Sequence, residues 1–133
     1  MGFLLDTHVW IWSQASPGNL GLEATKVLTD PREALFVSTI STLELARLSA
    51  GKRIELHPDL ESWVGQSLEL LLASALELTH GIAGEAYRLP GEFHRDPADR
   101  ILVATARLHH LTFLTADERI LAYPHVETRD ARR

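Results

Sequence analysis

Cysteine is absent from this 133-residue chain. That excludes disulfides, a thiolate nucleophile and cysteine-ligated zinc, and leaves the redox compartment unread. No apolar run approaches the ~20 residues of a membrane span. The apolar N-terminus lacks a basic n-region and a small-residue cleavage site, so it reads as a core strand and not as a signal peptide. The expected location is cytoplasmic, with no membrane partner. A basic surplus is missing as well: the formal net charge is -5, which argues mildly against broad, nonspecific nucleic-acid binding. Carboxylates gathered around a cation would have the same effect on the sum, because the cation reverses their sign locally. Gly18 and Gly21 make no dinucleotide fingerprint, and the histidines lack the H-E-x-x-H spacing of metalloproteases. There is no internal repeat, low-complexity segment or linker. One domain over residues 1–133 is expected, with 129–133 as a disordered tail carrying Arg129, Arg132 and Arg133.

What is present is an alternation of short apolar runs and helical patterns. Phe3, Leu4 and Leu5 lack polar alternation, as suits a strand buried on both faces of a parallel sheet. Leu35-Phe36-Val37 is a second such run, 111–114 a third, and 75–78 a weaker one; 126–128 is expected as a fifth, edge strand. Helices are predicted from Val9, broken at Ser16-Pro17-Gly18-Asn19; over about 22–29; from 38–41 to Gly51; from His57-Pro58-Asp59 through Leu72; over about 81–88; from Asp96-Pro97; and after Asp117. Strand alternating with helix predicts a three-layer α/β/α sandwich around a parallel sheet of four to five strands.

Four acidic positions matter most. Asp6, Glu44 and Asp117 each fall within a few residues of a strand's predicted carboxyl end, the edge where open α/β sheets place their functional crevice. Asp99 lies one turn into a helix that must run back towards that edge. Each has a local explanation: Asp6 as a helix cap, Glu44 at the third position of a Ser41-Thr42-Leu43-Glu44 capping box, Asp96-Pro97-Ala98-Asp99 as cap, proline and first-turn acid, and Asp117 as another cap. Together they point further. A like-charge pair at ~4 Å and an effective dielectric near 20 costs about 4 kcal/mol, so such a cluster calls for a hard cation. An oxygen-only donor set suits Mg²⁺ or Mn²⁺, as one or two ions. Helix N-termini would help keep the acids ionised, so capping and cation binding are compatible. The chemistry open to such a site is attack of water on phosphorus. Trp10 and Trp12, close behind Asp6, are either stacking platforms for bases or, more commonly, core.

The run Leu4-Leu5-Asp6-Thr7-His8-Val9 resembles the opening of PIN-domain proteins, specifically the VapC-type toxins of bacterial and archaeal toxin–antitoxin pairs. His94-Arg95-Asp96-Pro97-Ala98-Asp99-Arg100-Ile101-Leu102-Val103-Ala104-Thr105-Ala106 resembles their third motif, and Thr115-Ala116-Asp117 their fourth. The similarity spans nearly the whole chain. It implies a Mg²⁺- or Mn²⁺-dependent endoribonuclease that cuts tRNA, rRNA or mRNA and so arrests translation, acts as a homodimer, and is neutralised by a cognate antitoxin. Carried over by position, the acidic set is Asp6, Glu44, Asp99 and Asp117, with Thr7 and Thr115 bonded to the acids or to water. Asp96 would be a helix cap or support, and Arg100 would meet a phosphate or an acid. A catalytically silent PIN-like domain that binds RNA or protein is the alternative. A phosphorylated receiver module is disfavoured, because no paired acid or strand-end lysine is in place.

Overall fold

The computed structural model describes residues 1–133. The chain starts at the centre of a five-stranded, all-parallel sheet in the order β3-β2-β1-β4-β5. β1 (Gly2–Leu5) is followed by α1 (Thr7–Ala15) and α2 (Leu22–Thr29), then by β2 (Ala34–Ser38). Next come α3 (Thr39–Ala50), α4 (Leu60–Leu71), β3 (Ala73–Leu76) and α5 (His80–Ala86). α6 (Pro97–Leu108), β4 (Thr112–Thr115), α7 (Glu118–Leu121) and β5 (Thr128–Asp130) complete the chain.

Side chains on neighbouring strand positions point to opposite faces, which fills two cores. Phe3, Leu5, Leu35, Val37 and Leu114 meet α1, α2 and α4 on one side. Leu4 and Phe113 meet Leu102, Val103 and Ala106 of α6, together with Ile120 of α7, on the other. α5 packs behind α6 through Ile82, Ala86 and Ala104. Helices on both faces explain why the central strands read as unbroken apolar runs. Trp10 is fully enclosed and its Nε1 donates to Ser67 Oγ at 2.9 Å. It is core, while Trp12 stays half-buried, its ring 4.9 Å from that of His8. No helix is long and apolar enough to cross a membrane.

Several element boundaries differ from expectation for identifiable reasons. α1 begins at Thr7 and not Val9, because Asp6 caps it by accepting from the Thr7 amide. The Ser41–Glu44 capping box does not form: α3 starts earlier, on Ser38, whose hydroxyl accepts from Ile40 N. Glu44 is therefore inside the helix and not engaged at its terminus. β3 lies two residues before the expected 75–78, since Leu72 takes a left-handed conformation (φ 54°) and turns α4 straight into the strand.

Residues 129–133, expected as a tail, include the end of β5 and a turn that packs against α2. β5 pairs with β4 through Phe113–Thr128, Leu114–Arg129 and Thr115–Asp130. Ala131 is buried; its carbonyl accepts from Gly21 N, and that of Arg133 accepts from Ala24 N. The end of the chain thus satisfies two amides at the start of α2, which has no side-chain cap. Gly21 is required for this approach: a Cβ there would collide with the backbone of Arg132 and Arg133.

Candidate active site

The strand order reverses at β1: the chain moves out to β2 and β3, then returns to the other side for β4 and β5. A crevice opens outside the carboxyl ends of strands at such a switch point. Asp6 stands there, directly after β1, and is 3 % exposed. Its Oδ1 accepts from Thr7 N (2.8 Å) and its Oδ2 from Thr115 Oγ1 (2.6 Å). Burial pushes its carboxyl up to about 6, against the pull of those two bonds, with Glu44 and Asp117 repelling its charge.

Thr115 ends β4 beside it, and its hydroxyl also accepts from Asp117 N at 3.0 Å. Asp117 caps α7 through the amides of Arg119 and Ile120, and Arg119 Nη2 approaches it at 3.4 Å. Burial acts to raise its pKa, but the bonds and charge from Arg119 prevail and hold it below the usual carboxylate range.

α3 brings in the next acid. It reaches both cores, Leu45 into one and Ile40 into the other, so Glu44 is held beside the switch point. Glu44 Oε1 accepts from Thr7 Oγ1 at 2.6 Å, and the Thr7 hydroxyl also lies 2.8 Å from Ser41 Oγ. Burial raises the Glu44 pKa, the Thr7 bond opposes it, and Asp99 and Asp96 add repulsion.

α6 supplies Asp99. Asp96 caps that helix, its Oδ1 accepting from the amides of Ala98 and Asp99, and is exposed. Asp99 is half-buried, and His94 Nε2 lies 2.7 Å from its Oδ2. Burial again raises its pKa, the His94 bond lowers it, and the charges of Asp6 and Asp96 raise it.

Arg100 pairs with no acid here. Its guanidinium donates to the carbonyls of Ala86 and Phe93 (3.1 and 2.9 Å) and lies over the rings of Tyr87 and Phe93. Those carbonyls need donors, and Arg100 is committed to the loop before α6. Two histidines went unassigned from sequence. His8 Nε2 accepts from Ala116 N (3.0 Å), its Nδ1 is 3.6 Å from Asp6 Oδ2, and burial lowers its pKa. His94 is the other. Both stand inside the motif runs, and that adjacency was the one available signal.

None of Asp6, Glu44 and Asp99 has a lysine or arginine at ion-pair distance. No three acidic or histidine side chains stand close enough together to hold an ion between them. An open, oxygen-only set whose members repel one another fits a cation such as Mg²⁺, which usually keeps several waters and takes only one or two carboxylates.

A family profile described as PIN domain matches residues 3–126. Ribonuclease VapC22 of Mycobacterium tuberculosis is 37% identical over 122 residues, 92% of each chain. Among solved structures, VapBC2 from Rickettsia felis bound to a promoter DNA fragment has a TM-score of 0.66 at 15% identity, covering 97% of this chain and 98% of that one. DNA-bound VapBC from Salmonella typhimurium also has a TM-score of 0.66, at 19% identity and 98% coverage of both chains. At such identities the structural likenesses bear on the fold alone.

Proposed function

The chain belongs to the PIN-domain family, among its VapC-type members, and from that premise we propose that it is the ribonuclease toxin of a toxin–antitoxin pair, hydrolysing RNA phosphodiester bonds with Mg²⁺ or Mn²⁺. The observation that carries the reading is that Asp6, Glu44 and Asp99 stand near enough at the switch-point crevice to repel one another's charge, without a lysine or arginine partner. The relative named a ribonuclease supports the choice of reaction.

Asp6 and Asp99 would hold the cation, directly or through water, with Glu44 and Asp117 completing the site. When bound, it supplies the positive charge that offsets the phosphate and makes water more acidic. The chain's own groups do the rest. Thr115 and Thr7 fix the Asp6 and Glu44 carboxylates by short hydrogen bonds, so their oxygens keep one aim. Asp6 must be ionised to act, and an ion in the crevice favours that form. Arg119, exposed at the rim beside Asp117, meets phosphate of the bound strand. A cognate antitoxin, a homodimeric state and arrest of translation through tRNA, rRNA or mRNA cleavage belong to the same proposal.

The test is incubation of purified, partner-free protein with total cellular RNA, with Mn²⁺, with EDTA, and with Asp6→Ala as control, mapping new ends by sequencing. Discrete ends that need both Mn²⁺ and Asp6 are expected. Binding without cleavage across several RNA sources would replace the reading with that of a silent RNA-binding domain.

A further inference from the structure

We propose that His94 is a positioning residue that aims the Asp99 carboxylate into the crevice, an inference that rests on reading Asp99 as a cation ligand. Asp99 sits in the first turn of α6, where an acid often folds back onto its own helix amides. Here that role is taken: Asp96 accepts from both Ala98 N and Asp99 N. The Asp99 carboxylate is left with one hydrogen bond, from His94 Nε2 at 2.7 Å. The terminal torsion of an aspartate is broad, so without that bond the group would turn freely. An ionised carboxylate only accepts, so Nε2 carries the proton and donates.

The loop that presents His94 is built to hold it still. Its ring packs on Phe93 with centroids 4.2 Å apart, and Phe93 meets the edge of Tyr123 at 4.8 Å. Tyr123 OH donates to the Pro90 carbonyl. Arg100, the residue after Asp99, ties the Phe93 and Ala86 carbonyls to the same helix turn. Acid and clamp therefore leave α6 together, and the loop before that helix returns the histidine to the acid. Asp6 and Glu44 each have a threonine hydroxyl in the corresponding role. Removing the hydrogen-bond partner of a ligating group typically costs about 10–100-fold in metal affinity.

The experiment is a calorimetric titration of metal-free protein with Mn²⁺ for the parent, His94→Leu, His94→Phe, His94→Gln and Asp99→Asn, with the melting temperature of each measured in EDTA. His94→Phe keeps a ring over Phe93 but no donor; His94→Gln keeps an N–H at comparable reach. The two donor-less variants should bind Mn²⁺ about 10-fold more weakly or worse, and His94→Gln should recover most of the loss, with EDTA melting temperatures near the parent's. Parent-like affinity in His94→Phe overturns the proposal, as does a glutamine variant no better than phenylalanine. Asp99→Asn distinguishes the levels: if it too binds like the parent, the reading of Asp99 as a ligand has failed, whereas a loss there without one at His94 refutes only the role of His94.

Discussion

At the scale of single residues, Asp6 is buried and hydrogen-bonded through both carboxylate oxygens. Its pKa of about 6 lies above the ordinary 3.8, so between those values the folded chain holds more protons than the unfolded one. Stability must then fall as pH rises through that window, and above it ionised Asp6 costs roughly 3 kcal/mol in the metal-free protein. Glu44 and Asp99 are raised in the same sense. Asp6→Asn, which can still cap α1, should melt higher than the parent in EDTA at about pH 7.5, with the two converging near pH 4. Parallel melting curves at both pH values would show that Asp6 is not under this strain. Gly21 carries a second prediction. A methyl group there meets the backbone of Arg132 and Arg133, so Gly21→Ala should cost about 1–3 kcal/mol in a denaturant titration. It should also speed hydrogen exchange at the Gly21 and Ala24 amides; an unchanged midpoint would mean that the tail does not hold α2.

At the scale of elements, helix starts do most of the work. Asp6, Asp96 and Asp117 all cap helices, and Asp6 and Asp117 lie at the crevice as well. These starts were legible because capping is a contact between neighbours. The capping box that offered a local explanation for Glu44 does not form, because Ser41, three residues before it, is drawn into contact with Thr7 and α3 begins on Ser38. The segment joining α5 to α6 depends on Arg100. Arg100→Leu should strip the Ala86 and Phe93 carbonyls of their donor, cost about 1–3 kcal/mol, and make the loop the first point of proteolytic cutting. Arg100→Lys should not rescue it, because a single ammonium lacks the planar fork that spans both carbonyls. Cutting at an unchanged rate in Arg100→Leu would show that Arg100 does not hold the loop.

At the scale of the whole molecule, the strand order brings the acids together, and a bound cation should therefore stabilise everything at once. Mn²⁺ at about 100 times its dissociation constant adds roughly 2.7 kcal/mol, a rise on the order of 10 °C in melting temperature for a chain of this size. Asp99→Asn should raise the EDTA melting temperature and shrink the response to Mn²⁺. A variant that melts lower with the metal response intact would make Asp99 a helix-start residue and nothing more.

The sequence by itself determined the alternation of buried strands and helices, the acidic helix starts and the motif runs around Asp6, Asp99 and Asp117. Each of these is a pattern between residues a few positions apart, set by backbone hydrogen bonding and side-chain burial. Only the tertiary structure decided that Thr115 bonds Asp6 across 109 positions and that Thr7 bonds Glu44 across 37. It also decided that Arg100 ties the Ala86 and Phe93 carbonyls, that His94 meets Asp99, and that the tail closes over Gly21. Those contacts follow from which strand lies beside which and where the chain's end comes to rest, and no local periodicity carries that information.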